Sequence, residues 1–358
     1  MGKDEFLKSL QAVKKNVERR LEAYLGDKMA EADRISSGAA ELTRVLKEFT
    51  LRGGKRLRAA MVYYGYRAFS DREIEEVWNV AMSVELVQSF LLIHDDVIDE
   101  DDTRRGGWTV HRHYSDLHRE RYHRRDPAHF GESMAILCGD MALALANEIL
   151  AGGVLDAPIR RAMQKRMNRM VSHAIYGECM DVLAEVETGV SEQDILMIGM
   201  LKTASYTVEG PLHMGALLGG ADRGDLERLS RYAIPLGKAF QLRDDILGLF
   251  GDAERLGKPV GSDIREGKKT TLMLKTLEKA KPAQQQFLKR MLGNRGVTEG
   301  DVEEVRRLVV ETGALDASRE MARKLVEESR KALEGCRWRA EGVGFLKGAV
   351  EFMVERES

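Results

Sequence analysis

No proline precedes Pro127 in this 358-residue chain, and its six prolines stand at 127, 158, 211, 235, 259 and 282. Proline removes a backbone donor and clashes with the preceding turn, so it is disfavoured inside helices and central strands alike. The long segments between the prolines are rich in Ala, Leu, Met, Glu, Lys and Arg, residues that lose little on entering a helix. Alternating β-branched runs, the mark of strands, are scarce. The pattern predicts an all-α fold, read as one domain over 1–358 with a substantial buried core.

Residues 4–26 show the expected periodicity. Phe6, Leu10, Val13, Val17, Leu21 and Leu25 recur at three- and four-residue steps and make one apolar face. A second helix over about 37–49 gives way to LRGGKRLR at 51–58. Two glycines there precede a helix whose first turn carries Lys55, Arg56 and Arg58, an arrangement suited to an anion. A further helix over 72–100 carries Val84, Val87, Phe90, Leu91 and Ile93 towards its end. Gln88 lies two turns before Asp95 on the same face.

That helix ends in ELVQSFLLIHDDVIDEDDTRRG, residues 85–106. The offsets 95/99 and 96/99 gather Asp95, Asp96 and Asp99 on one side of a helix, where unpaired like charges repel. Hard oxygen ligands beside an apolar wall suit Mg2+, which binds through one or two carboxylates plus substrate phosphates. Arg104 and Arg105 follow as forks for phosphate. An acidic run at a helix end is ordinarily a solvated face, but FQLRDDILGLFGD at 240–252 repeats the plan with Asp244 and Asp245. Two such pairs on separate helices could face each other across a cavity.

The net charge of −2 does not point to nucleic acid or an anionic membrane. Cys138, Cys179 and Cys336 lack metal-type spacing and read as reduced thiols of a cytoplasmic protein. The N-terminal MGKDEF has no signal-peptide core, and no run approaches the ~18 apolar residues of a spanning helix. Residues 107–130 hold five of the eight histidines, His111, His113, His118, His123 and His129, among Arg119, Arg121, Arg124 and Arg125. Their steps of two, five, five and six do not suit a metal site, and the segment reads as an inserted, solvated basic loop.

GGKRLR, ELVQSFLLIHDDVID followed by RRG, KTAS, FQLRDDILGLFGD and GKPVGSDIREGKKT occur in an order that resembles the trans-isoprenyl diphosphate synthases, the head-to-tail polyprenyl synthases. The resemblance runs from about 36 to 280. It implies ten or more helices around a deep central pocket, a homodimer, and Mg2+ at three ions per active site. The implied reaction is ionisation of an allylic diphosphate, attack by isopentenyl diphosphate and loss of a proton. Asp95, Asp99 and Asp244 would hold the metal, with Asp96 and Asp245 in support. Arg104, Lys202, Thr203, Gln241, Lys258 and Lys268 would complete the allylic phosphate site. Lys55, Arg58, Gln88 and Arg105 would hold isopentenyl diphosphate. The resemblance also makes the connection 251–267 a lid that brings Lys258 and Lys268 over a phosphate.

Two residues depart from the family pattern. Gly248 stands where many members keep a third aspartate, with Asp252 as a substitute ligand, and Glu178 in YGECMD stands where relatives often have Gln. Asp181, in the same segment, reads either as a water-bridged metal partner or as structural. Leu91 is one turn before Asp95, and Phe90 is its neighbour around the helix. An aromatic five residues before the first aspartate, with none at four, resembles geranylgeranyl diphosphate synthases and implies a C20 product, with C15 and C25 as alternatives. A terpene cyclase would have no use for the isopentenyl clamp, and a non-catalytic synthase subunit implies eroded aspartates.

Overall fold

The structure, a computed structural model, describes residues 2–122, 124–153, 155–251 and 260–355. It divides into two compact units. A first unit comprises Asp4–Met167 and Met214–Gly220; a second comprises Met1–Lys3, Asn168–His213 and Ala221–Ser358. Apart from one two-stranded hairpin, the regular structure of the described residues is helical, with well over ten helices.

In the first unit, α1 (Lys3–Asp33) buries the stripe Phe6, Leu10, Val13, Val17, Leu21 and Leu25 that its periodicity predicts. Helix α2 (Ser37–Leu51) starts where the Ser36 hydroxyl accepts from the Ala39 amide at 3.1 Å. Helix α3 (Leu57–Arg67) follows the glycine break, and α4 (Glu76–Ile98) buries almost every residue from Val77 to Phe90. A hairpin of β1 (Thr103–Arg104) and β2 (Gly107–Trp108) leads into α5 (Val110–Arg121) and α6 (Pro127–Ala151). Asp126 caps α6 by accepting from the Ala128 amide, with Pro127 at the first helical position. Helices α4 and α6 have the length and apolarity of membrane spans, yet 78% of the most apolar window of α4 is buried within the fold.

The basic segment 107–130 is not a solvated loop. Its centre is α5, which buries Val110, Tyr114, Ser115 and His118. The His118 ring lies 5.0 Å from that of Phe130, and its Nε2 is 2.7 Å from the Arg124 carbonyl. The periodicity was hidden because long basic side chains share each turn with the few buried ones. His123 lies outside the described residues.

In the second unit, α7 (Ala157–Val186) runs on from the first, followed by α8 (Glu192–Gly199), a π-helical stretch Met200–Glu209, and α9 (Gly210–Leu218), which ends in the first unit. Helix α10 (Arg223–Phe250) starts with a capping box of Asp222 and Asp225 and continues through Pro235. The remaining helices are α11 (Ser262–Glu266), α12 (Thr271–Lys279), α13 (Pro282–Met291), α14 (Glu299–Glu311), α15 (Ala314–Ala332) and α16 (Ala340–Glu355). Leu249, Ile264, Leu272, Leu288, Val305 and Leu308 form a core that pins α11 beneath the end of α10. Trp338 and Phe345 are packing residues, the indole donating to Asp225 at 2.7 Å.

The glycines at 210 and 215 do not break the helix there. A Cβ at Gly215 would lie 1.9 Å from the Val62 carbonyl oxygen and 2.8 Å from the Tyr66 amide, so the missing side chain lets α9 and α3 touch backbone to backbone. Gly215→Ala is expected to lower the unfolding free energy by about 2–3 kcal/mol through overpacking. Gly38→Ala, with only Ser36 Oγ at 3.9 Å, should be neutral or stabilise by up to ~1 kcal/mol. Urea unfolding followed by circular dichroism checks both.

Candidate active site

In the first unit the site begins where α4 runs out. Asp95 and Asp96 occupy its last turn and Asp99 is its C-cap. The hairpin that follows turns through Arg105 (φ 52°) and Gly106 (φ 74°), pairing Arg104 with Gly107. Both central residues are left-handed, as tight two-residue hairpin turns require. This turn sends two adjacent guanidinium groups to different partners. Arg104 folds back on the acids, donating to Asp96 Oδ1, to Asp95 Oδ2 at 3.1 Å and to Asp101 Oδ2 at 3.3 Å. Arg105 reaches the carbonyls of Arg52 at 3.2 Å and Gly53 at 3.4 Å. Its guanidinium lies against Gly54, where a Cβ would stand 3.2 Å away.

The Asp96 side chain is fully buried, and its Oδ2 has no hydrogen-bond partner. Burial pushes its carboxyl up to about 7, opposed by Arg104 and reinforced by Asp95 and Asp101. Arg104 thus stands among three carboxylates and pairs with each of them.

The basic turn 53–58 is built differently from the expectation. Arg56 is buried in the left-handed region and holds Glu85 at 3.2 Å, Glu18 at 3.0 Å and the Thr50 carbonyl at 2.6 Å. Glu85 also accepts from the Ala59 amide at 3.1 Å. One amide at the N-terminus of α3, expected to face a ligand anion, is therefore taken by an internal carboxylate. Lys55 is exposed and Arg58 half-buried. Gln88, one turn beyond Glu85, is buried with its Oε1 unpartnered. Phe90 is buried edge-on to the His94 ring at 4.9 Å, whereas Leu91 is half-buried one turn before Asp95.

The second unit carries its own constellation. Thr203, in the π-helical stretch, donates to Gln241 Oε1, and Gln241 in turn donates to Asp245 Oδ1 at 2.8 Å. Lys202 lies between Glu178 Oε2 at 2.7 Å and Asp181 Oδ2 at 2.9 Å. Lys268 pairs with Glu266 at 2.9 Å. Asp244 is half-buried, and Asp245 is buried. Burial holds Asp245 well above the carboxylate range, with Asp263, Asp244 and Asp181 adding to the effect.

Asp263 and the pairing of Glu178 were missed in the sequence. A Cβ at Gly248 would lie 3.0 Å from Asp263 Oδ2, so a carboxylate from α11 stands beside the position that lacks a third aspartate. The Gly261 amide donates to the Gly248 carbonyl at 3.0 Å and fixes this approach. The motif GSDIREGK contained the aspartate, but nothing in its spacing placed it on α10. Lys258 and Asp252 lie outside the described residues.

Among the described residues no three or more Asp, Glu, His or Cys side chains form a ready-made metal cage. The donor set still fits Mg2+, because it consists of hard oxygens and includes a buried carboxylate oxygen of Asp96 without a hydrogen-bond partner.

Residues 39–309 match the family model described as polyprenyl synthetase. The chain belongs to the polyprenyl synthetase family. This polyprenyl synthetase is 30% identical to the geranylgeranyl diphosphate synthase of Sulfolobus acidocaldarius, over 90% of its own length and 93% of the relative's. It is 31% identical to the geranylfarnesyl diphosphate synthase of Aeropyrum pernix, over 94% and 99%. Among solved structures it is similar to the geranylgeranyl pyrophosphate synthase of Corynebacterium glutamicum complexed with isoprenyl diphosphate and magnesium. That likeness has a TM-score of 0.93 at 33% identity and covers 97% of this chain and 99% of the other. The all-α architecture is that of the isoprenoid synthases.

The two raised carboxyls give this polyprenyl synthetase a signature in pH. A carboxyl near 7 in the folded state and near ~3.9 unfolded binds its proton more tightly when folded, so it costs stability as pH rises between the two values. Metal-free protein in chelator should therefore lose thermal stability from pH 5 to 7.5. Asp96→Asn should flatten that slope, and differential scanning fluorimetry across the pH series reads it.

Proposed function

We propose that this polyprenyl synthetase condenses allylic diphosphates with isopentenyl diphosphate head to tail, and that geranylgeranyl diphosphate (C20) is its main product. The observation that carries the reading is the end of α4, where an apolar helix terminates in buried carboxylates clasped by Arg104. Such an end joins a charge-binding pole to a hydrocarbon wall.

The reaction breaks the C1–O bond of the allylic substrate and leaves diphosphate and an allylic cation. The double bond of isopentenyl diphosphate then forms the new C–C bond, and a proton leaves the adjacent carbon for the departed diphosphate. Arg104, Lys202, Thr203, Gln241, Lys258 and Lys268 hold the leaving diphosphate. Lys55, Arg58, Gln88 and Arg105 hold isopentenyl diphosphate by forks and ammonium groups. Asp95, Asp99 and Asp244 are the magnesium ligands, with Asp96 and Asp245 behind them and three ions per site. Magnesium, when bound, neutralises the developing charge on the leaving group. The chain works as one catalytic domain, so neither compact unit is active alone.

Purified protein with Mg2+, labelled isopentenyl diphosphate and a C5, C10 or C15 allylic primer should yield C20 alcohols after dephosphorylation, and chelator should abolish turnover. A hydrocarbon product would make it a cyclase, and inertness a partner subunit. The geranylfarnesyl relative makes C25 the alternative product. Phe90 and Leu91 set chain length. Leu91→Phe should shorten the main product to C15, and Phe90→Ala should lengthen it, as resolved by reversed-phase thin-layer chromatography. An unshifted distribution in both variants would remove their role.

The same reading makes the protein a cytoplasmic homodimer. Helix α6 leaves Ile136 and Leu137 about half exposed, and α7 exposes Ile175, Tyr176, Val182, Leu183 and Val186. Contiguous exposed apolar stripes of this kind mark association surfaces. Leu137→Glu should convert the dimer to monomer in analytical ultracentrifugation.

A further inference from the structure

Glu178 is an acidic side chain that the functional reading leaves unused. Glu178 and Asp181 lie one turn apart on the same face of α7 and close on the Lys202 ammonium at 2.7 and 2.9 Å. All three side chains are at most about a quarter exposed, so solvent screens the pairs only partly. An ammonium has three donors. Two are directed at carboxylates here, and at most one is left for another acceptor.

The two backbones that carry the clamp are packed closely together. A Cβ at Gly177 would lie 2.6 Å from the Lys202 amide nitrogen and 3.0 Å from its Cβ, so α7 and the π-helical stretch are in direct backbone contact. Gly177 is what brings Glu178 and Lys202 within reach. The trio carries one positive and two negative charges. A diphosphate arriving at Lys202 therefore meets two carboxylates of its own sign and has to share the ammonium with them. With a neutral amide at position 178 the trio would be balanced and one donor freed.

We propose that Glu178 is a positioning residue that competes with diphosphate for the Lys202 ammonium, so that it weakens retention of the diphosphate group and speeds its release after the C–O bond has broken. The inference rests on the reading of Lys202 as a ligand of the allylic diphosphate. Its consequence is a deliberate looseness on the leaving-group side, where release of product often limits turnover.

The test is isothermal titration of the full chain with inorganic pyrophosphate in the presence of Mg2+. Glu178→Gln should bind pyrophosphate about five- to ten-fold more tightly and show a lower KM for the allylic diphosphate, with the KM for isopentenyl diphosphate unchanged. Glu178→Asp, which keeps the charge, should stay close to the parent. Should Glu178→Gln fail to fold, Glu178→Ala gives the same charge removal. Unchanged or weaker pyrophosphate binding in the charge-removed variant would overturn the proposal. Lys202→Met separates the two readings: weaker pyrophosphate binding in it alone sinks only the role of Glu178, whereas no effect in it sinks the assignment of Lys202 itself.

Discussion

A single guanidinium set among three carboxylates at the end of a buried helix is the interaction on which the first unit's chemistry depends. Asp96 is fully buried because α4 is apolar almost all round, and a carboxylate in such a place is costly unless paired. Arg104 meets that cost for Asp95, Asp96 and Asp101 together. Burial raises the Asp96 carboxyl, and the neighbouring Asp95 and Asp101 add to the effect against the pull of Arg104.

The hairpin after α4 gives this arrangement its economy. Its left-handed turn at Arg105 and Gly106 directs one arginine to the acids and the next to the carbonyls of the glycine turn at 52–53. Neighbouring residues of like charge thus enter two different environments, one of carboxylates and one of backbone carbonyls. Arg56, between Lys55 and Arg58, joins neither; it is committed to Glu18 and Glu85 and holds the turn in shape.

In the second unit, missing side chains do comparable work. Gly177 allows α7 to meet Lys202, Gly237 packs where a Cβ would stand 2.3 Å from the Cα of Ala204, and Gly248 makes room for the Asp263 carboxylate. The first of these approaches sets the Lys202 ammonium against two carboxylates of α7. The result is an acidic group in which Asp245 feels the charge of Asp263, Asp244 and Asp181.

The long helices, the apolar stripe of α1, the end of α4 and the two aspartate pairs were all legible in the residues, because helical periodicity and short-range spacing are local properties. So was the family, since its motifs are contiguous strings. Local spacing misread 107–130, where α5 carries its buried His118 among exposed arginines. Tertiary structure alone decided that Glu85 caps α3, that Arg56 is structural, that Asp263 stands at Gly248 and that Glu178 holds Lys202. These contacts join residues between 20 and 30 positions apart or on separate elements. The chemistry of each side chain is written in the sequence, but which opposite charge it meets depends on where packed backbones allow two elements to touch.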